Sequence, residues 1–151
     1  MINLRPATIH DADRLLAWRN DPVTCANSRS TAAVPREDHD RWMQFNVMQG
    51  YPEHMVMIAE SEQGCIGVVR FDAGKNDLMV YEISMTIAPE HRGSGLAQPI
   101  LVQACGHFSD FTLDAEIRYQ NIASRKVFER CGFEQINRSS GFLQYSKEPR
   151  T

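Results

Sequence analysis

The chain has 151 residues, 42% hydrophobic and 23% charged, with a formal net charge of −3. That is the size of one domain able to bury a sizeable core, and the scattered Lys and Arg, 16 against 19 Asp and Glu, exclude a basic nucleic-acid footprint. No stretch approaches the ~20 apolar residues of a membrane span, and Met1-Ile2-Asn3-Leu4-Arg5-Pro6 has no apolar signal core.

Cys25, Cys65, Cys105 and Cys131 are far apart and form no C-x-x-C pair. They read as reduced, mostly buried thiols of a cytoplasmic protein rather than a disulfide frame. The histidines show no ligand spacing, so no metal is expected.

Ile2 to Leu4, stopped by Pro6, predicts a short first strand. Thr8 with Asp11 three residues on reads as a capping box. Ala12, Leu15 and Leu16 recur on one face of the helix that follows, which runs out near Asn20-Asp21-Pro22. The polar stretch from Pro22 to Ala33 reads as a loop. A second helix starts at Pro35, with Glu37 and Asp38 in its first turn. Its apolar stripe of Trp42, Phe45 and Met48 is assigned to core packing.

Met55 to Glu60 and Cys65 to Phe71 are β-rich runs joined by a hairpin signal, Ser61-Glu62-Gln63-Gly64. After a turn at Ala73-Gly74-Lys75-Asn76-Asp77 comes the longest strand. Tyr81, Ile83, Met85 and Ile87 share one side of it. Val80, Glu82, Ser84 and Thr86 share the other, where the Glu82 carboxylate needs an explanation.

That strand runs into Ile87-Ala88-Pro89-Glu90-His91-Arg92-Gly93-Ser94-Gly95-Leu96-Ala97. Glycine lets backbone approach a ligand closely. A helix N-terminus presents unpaired N–H groups and a positive dipole end. Strand, Gly-x-Gly turn and helix in that order make a pyrophosphate cradle. Leu96, Ile100, Leu101, Ala104 and Phe108 mark the helix. Pro99 removes one N–H there and crowds the Gly95 carbonyl, which predicts a bend in the first turns.

Leu113, Ala115 and Ile117 alternate with Asp114, Glu116 and Arg118 on a further strand. Asn121 is a good N-cap. Ser124, Val127, Phe128 and Cys131 fall at helical spacing, and Gly132 closes that helix. Phe133 to Ile136 and Phe142 to Ser146 read as closing strands around Asn137-Arg138-Ser139-Ser140-Gly141. Without repeats or linkers, the simplest reading is one α+β domain over residues 1–151.

Two motifs can then be read together. Arg92-Gly93-Ser94-Gly95-Leu96-Ala97 matches R-x-x-G-x-G/A. Asn121-Ile122-Ala123-Ser124, then Phe128, then Gly132-Phe133 matches N-x-x-S-x-x-x-[YF]-x-x-x-G-F. With Leu4-Arg5-Pro6-Ala7 and Trp18-Arg19-Asn20-Asp21-Pro22 at the start, the chain resembles the GNAT superfamily of acyl-CoA-dependent N-acetyltransferases over essentially its whole length. The resemblance implies a GNAT-like fold, a mixed sheet of about seven strands with about four helices on both faces.

It also implies acetyl-CoA as co-substrate. Arg92, Gly93, Ser94, Gly95, Leu96 and Ala97 would meet the pyrophosphate. The pantetheine arm would pair like an extra strand with Met85, Thr86 and Ile87. Asn121 and Ser124 would border the thioester, with Phe128 packed beside the cofactor. Acetyl transfer to an amine requires removal of a proton, stabilisation of the thioester oxygen and protonation of the thiolate. Glu82 is the first candidate base and Glu116 the second, and a backbone N–H near Met85 suits the oxyanion. Many members of the family carry a tyrosine where this chain has Phe128. Proton return then passes to Ser124, to Tyr119 or to water, or is dispensable for a thiol of pKa about 8.5.

The first two helices and their connection would form the acceptor side, with Arg19, Asn20 and Arg29 as candidate contacts to a phosphate or sugar. The pattern is similar to the branch acting on amino-sugar nucleotides in nonulosonate pathways, and to ribosomal-protein N-terminal acetylases. The expected acceptor is a small-molecule amine such as an amino-sugar nucleotide. Protein N-terminal or lysine acetylation and a non-catalytic acyl-CoA sensor are the alternatives. The family admits a homodimer.

Overall fold

The computed structural model describes residues 1–150. β1 (Asn3–Pro6) leads into one 3-10 turn, Ile9–Asp11, closed by the expected capping box of Thr8 and Asp11, and then into α1 (Ala12–Arg19). The stretch expected to be a loop instead holds a helix, α2 (Pro22–Asn27). Asp21 caps it, accepting from the amides of Val23 and Thr24 at 3.1 and 3.2 Å. Pro22 takes the first helical position, where a missing N–H costs nothing. Asp-Pro here starts a helix as well as ending one.

α3 (Arg36–Trp42) begins after Pro35 but passes into a π-helical turn, Met43–Met48. A π turn takes more residues than an α turn, so a three-residue spacing no longer stays on one face. Phe45 and Met48 are 58% and 57% exposed, and Met43, at 3%, takes the core position instead. The stripe assigned to packing therefore fails beyond Trp42.

β2 (His54–Ser61) and β3 (Gly64–Ala73) form the expected hairpin. β4 (Val80–Ile87), α4 (Ala97–His107), β5 (Thr112–Arg118), α5 (Ile122–Arg130), β6 (Glu134–Ser139) and β7 (Phe142–Lys147) complete the chain. Pro99 lies ahead of the first helical bond of α4, from the Ile100 amide to the Leu96 carbonyl, so no bond is lost and the ground for a bend is absent. The last turn is tighter than expected. Only Ser140 and Gly141, at φ 52° and 85°, reverse the chain, the conformation a two-residue hairpin needs.

The seven strands form one sheet in the order β1-β2-β3-β4-β5-β7-β6. Neighbours are antiparallel except β4 and β5, a parallel pair joined through α4. Five α-helices rather than four accompany the sheet. Val69 and Phe71 of β3 pack with Ile100 and Leu101 of α4 and Phe128 of α5. Val56, Ile58 and Val68 pack with Leu15, Trp18 and Met43 in a second cluster. The sheet centre is thus buried on both faces, which fixes the strands that carry the site.

Asp11 is 2% exposed and accepts two bonds from Arg5 at 2.8 Å, one from the Thr8 amide at 2.8 Å and one from Arg14 at 3.2 Å. The Arg5 hydrogen bonds, aided by Thr8 and the nearby positive charges, outweigh burial and hold its carboxyl below the ordinary value. Asp11→Ala leaves these donors unpaired and is expected to cost about 3–5 kcal/mol in urea unfolding at pH 7. Because the folded carboxyl titrates below the unfolded one, this stabilisation is fully present above about pH 4 and is lost as pH falls through the folded value. The gap between wild type and variant should therefore shrink on acidification.

Candidate functional site

β4 and β5 pair at three positions only: Val80 with Thr112, Tyr81 with Leu113 and Glu82 with Asp114. Beyond these, β4 stays with β3 as far as Ile87, and β5 stays with β7 as far as Arg118. A wedge opens between them, and the strand edges facing it have no strand partner among the described residues. Met85, Thr86 and Ile87 lie on this edge. Backbone groups left unpaired at a strand edge bind an extended ligand as another strand would.

The glycine turn sits at the end of β4. Gly93 and Gly95 both have φ 75°, and a Cβ on either would meet nothing within 4 Å. The backbone conformation, not crowding, calls for glycine there, and the space beside the turn is open. The Ser94 hydroxyl donates to the His91 carbonyl. Arg92 is partly committed. Its Nη2 donates to Asp21 Oδ2 at 2.6 Å and Thr24 Oγ1 at 2.9 Å, tying the turn to α2. The Arg92 hydrogen bond outweighs the cost of burying Asp21 and holds that carboxyl below its ordinary value. The Nε and Nη1 of Arg92 have no protein partner among the described residues and remain able to meet an anion.

The two candidate carboxylates meet on the face beside the wedge. Arg29, from the segment joining α2 and α3, donates through Nη2 to Glu82 Oε2 and through Nε to Glu116 Oε1, each at 2.6 Å. Gln144 on β7 donates to the other oxygen of Glu116 at 3.0 Å. Burial opposes the Glu116 charge, but the Arg29 and Gln144 hydrogen bonds and the Arg29 charge overcome it and hold the carboxyl below its ordinary range. Both candidate bases are ion-paired as the structure stands. The Arg29 guanidinium, expected to meet a phosphate or sugar, pairs with both carboxylates in this structure.

Arg19 and Asn20, the other expected acceptor contacts, also bond within the protein. Arg19 donates to the Ser30 carbonyl at 2.8 Å, and Asn20 bonds both the amide and the carbonyl of Val34. They latch the segment that carries Arg29. Arg118 holds it from the sheet side through the Ser28 and Arg29 carbonyls. Sequence reasoning missed this function of Arg118, although its alternation with Asp114 and Glu116 already placed it on their face. It also missed Gln144, for which no local signal exists.

Asn121 caps α5, its Oδ1 accepting from the Ser124 amide at 3.3 Å. The Ser124 hydroxyl has no protein partner among the described residues. Phe128 is 3% exposed and lies edge-on to Phe133 at 5.0 Å in the main core. The residue expected beside the cofactor is thus a side chain of the main core. Tyr119 is 53% exposed, with the guanidinium groups of Arg125 and Arg138 against its ring.

The wedge, the glycine turn at its mouth and the paired carboxylates frame the comparison with known proteins. The family model for the Acetyltransferase (GNAT) domain matches residues 2–134. The chain belongs to the GNAT family of N-acetyltransferases. A search of curated proteins returned no significant match. Among solved structures, this GNAT domain resembles spermidine N-acetyltransferase from Vibrio cholerae in complex with CoA and spermine, with TM-score 0.82 and 15% identity over 96% of this chain and 92% of that one. It also resembles ribosomal-protein-alanine N-acetyltransferase from Brucella melitensis, with TM-score 0.77 and 22% identity over 97% and 99%. A third structure, assigned as a phosphinothricin N-acetyltransferase, matches over the whole of both chains at TM-score 0.82 and 21% identity.

Removing Arg29 takes a positive charge and a charge-assisted hydrogen bond from Glu116 and leaves Glu82 facing it. Two nearby carboxylates cannot both ionise freely. In Arg29→Ala the Glu116 carboxyl is expected to titrate at higher pH than in wild type, read by carbon-13 NMR of the side-chain carboxyls. An unchanged titration would sink the assignment of Arg29 as the group that holds Glu116 ionised.

Proposed function

We propose that this GNAT enzyme moves an acetyl group from acetyl-CoA to the primary amine of a small molecule, by direct attack and with carboxylate assistance. The observation that carries the reading is the wedge between β4 and β5, with the positive-φ glycine turn at one end and Glu82 and Glu116 beside it.

The residues present suit acetyl-CoA. The amides from Gly93 to Ala97 at the start of α4 would receive the pyrophosphate, helped by the free nitrogens of Arg92. The unpaired edge at Met85, Thr86 and Ile87 would align the pantetheine arm, and one of its N–H groups would hold the carbonyl oxygen as negative charge develops. Asn121 and Ser124 border the thioester end of this path.

Glu82 or Glu116 takes the proton of the acceptor ammonium, directly or through water. The amine nitrogen then bonds to the acetyl carbon, the carbon–sulfur bond breaks, and the second proton, shed by the nitrogen as the amide forms, passes to the departing thiolate. Ser124, whose hydroxyl is otherwise unpartnered, is the protein group we assign to relay it. Phe128 has no proton to give.

A small acceptor is favoured by the segment that carries Arg29. Arg19, Asn20 and Arg118 pin it beside the carboxylates, which narrows the approach for a folded protein substrate. An amino-sugar nucleotide is the acceptor class we favour, and the reaction belongs in the cytoplasm, where the four free thiols are at home. No helix among the described residues is long and apolar enough to cross a membrane.

Acetyl-CoA is expected to raise the melting temperature of the wild-type protein, and Gly95→Val, which forces a β-branched residue into positive φ, should weaken that shift. Thiol release with amino-sugar nucleotides, amino acids, polyamines and peptides then sorts the acceptors. Glu82→Gln or Glu116→Gln should lower kcat by about 10²–10⁴ while leaving CoA affinity unchanged. Full turnover in both variants defeats the base assignment, and CoA binding without thiol release on any amine favours a sensor.

A further inference from the structure

Glu82 is the last β4 residue of the β4–β5 ladder, and Glu116 lies two residues beyond its partner Asp114, so both carboxylates stand where the wedge begins. A carboxylate able to take a proton from an ammonium can take one from water as well. The Arg29 side chain beside them is 61% exposed, so water reaches this face. A thioester held in the wedge is then open to hydrolysis whenever no amine is present. Arg29 stands against that. Each carboxylate gives one oxygen to its guanidinium at 2.6 Å, and Gln144 takes the second oxygen of Glu116 at 3.0 Å. A guanidinium has N–H donors and no acceptor, so it draws no proton from water itself. Its bond and charge, with the Gln144 bond, also hold the Glu116 carboxyl below its ordinary range against burial, which makes it a weaker base.

The backbone and the side chain of Arg29 are held by different partners. Arg118 donates to the Ser28 and Arg29 carbonyls, Arg19 to the Ser30 carbonyl, and Asn20 bonds the Val34 backbone. None of these bonds touches the guanidinium. Its hydrogen-bond partners among the described residues are Glu82 and Glu116 alone. The head can therefore swing out on its flexible stem while the segment stays latched. Ion pairs this exposed hold weakly in water. A primary ammonium brings the same charge and three N–H donors to the same oxygens, and Glu82 Oε1, which has no protein partner among the described residues, is free to receive it first. Such an exchange leaves the net charge of the site unchanged.

We propose that Arg29 guards the transfer site: its guanidinium keeps Glu82 and Glu116 from activating water while acetyl-CoA waits, and the acceptor's ammonium displaces it, cation for cation. The inference rests on the acetyl-transfer reading above and adds the regulation of that site. Arg29 is a positioning residue, since it acts through the two carboxylates. Without it a carboxylate takes a proton from water, the water oxygen bonds to the acetyl carbon, and the carbon–sulfur bond breaks. The proton then passes to the thiolate, leaving acetic acid and the CoA thiol. Removing the guanidinium also leaves two carboxylates facing one another, which raises the proton affinity of the pair and strengthens it as a base.

The test is thiol release from acetyl-CoA by the full chain with no acceptor added. Arg29→Ala is expected to release thiol about tenfold faster than wild type or more, within the reach of one general base. Guanidinium chloride, well below unfolding concentrations, should slow Arg29→Ala and leave wild type unchanged. A rate no higher than wild type overturns the proposal. So does an equal rise when Glu82→Gln and Glu116→Gln are added to Arg29→Ala, since the change then merely admits water. The exchange itself is read in the protein without acetyl-CoA, by nitrogen-15 NMR of the Arg29 Nε–H. Propylammonium should move this signal toward that of a free arginine side chain. Tetramethylammonium, equal in charge but without N–H donors, should not. No shift, or the same shift with both ions, overturns the proposal. If wild type fails to bind acetyl-CoA, the acetyl-transfer reading falls, and the NMR titration still decides whether an ammonium displaces Arg29.

Discussion

The hydrogen-bond ladder between β4 and β5 stops after Glu82 and Asp114, and the rest of the site depends on that interruption. A continuous ladder would consume the edge at Met85 to Ile87 and close the wedge. Each strand can leave the other because its far edge is held, β4 by β3 over its whole length and β5 by β7. Their buried side chains stay in one core. Tyr81 and Ile83 of β4 and Leu113, Ala115 and Ile117 of β5 are each no more than 8% exposed. The wedge is therefore a fixed gap in a rigid sheet, and a ligand entering it meets donors and acceptors already in position.

The parting also decides where charge can sit. Where the strands still touch, Glu82 and Asp114 are neighbours, and Glu116 lies two residues further along β5. Three carboxylates on one side of the sheet repel one another unless cations intervene. The segment between α2 and α3 supplies the cation, and the latches at Arg19, Asn20 and Arg118 keep it there. At its other end α2 ties back to the glycine turn through its cap, Asp21, which accepts from Arg92. The segment that carries Arg29 and the glycine turn are thereby joined through α2, outside the sheet.

Much of this was legible in the residues. Alternation along Leu113-Asp114-Ala115-Glu116-Ile117-Arg118 marked a half-buried strand, and Gly-x-Gly after a strand marked the turn, because both signals are local. Two local signals mislead. Asp21-Pro22 reads as an ending, yet it also begins α2. The spacing of Trp42, Phe45 and Met48 fits 3.6 residues per turn, where the backbone adopts a π turn. The partners of Glu82 and Glu116 were out of reach for a different reason. Arg29 lies 53 and 87 residues from them, and only the closed fold brings such groups within 2.6 Å. Phe128 shows the same limit. Its motif position speaks to the ligand, and its burial against Phe133 is a property of the packed core.

The outward face of β5 is electrically lopsided. Asp114 and Glu116 stand at one end with Glu82 beside them, and Arg118 stands at the other. One guanidinium, that of Arg29, is shared by two of the three carboxylates, so the near end keeps a surplus of negative charge while the far end keeps a surplus of positive charge. A molecule with a cation at one end and an anion at the other feels a torque in such a field before it touches any side chain.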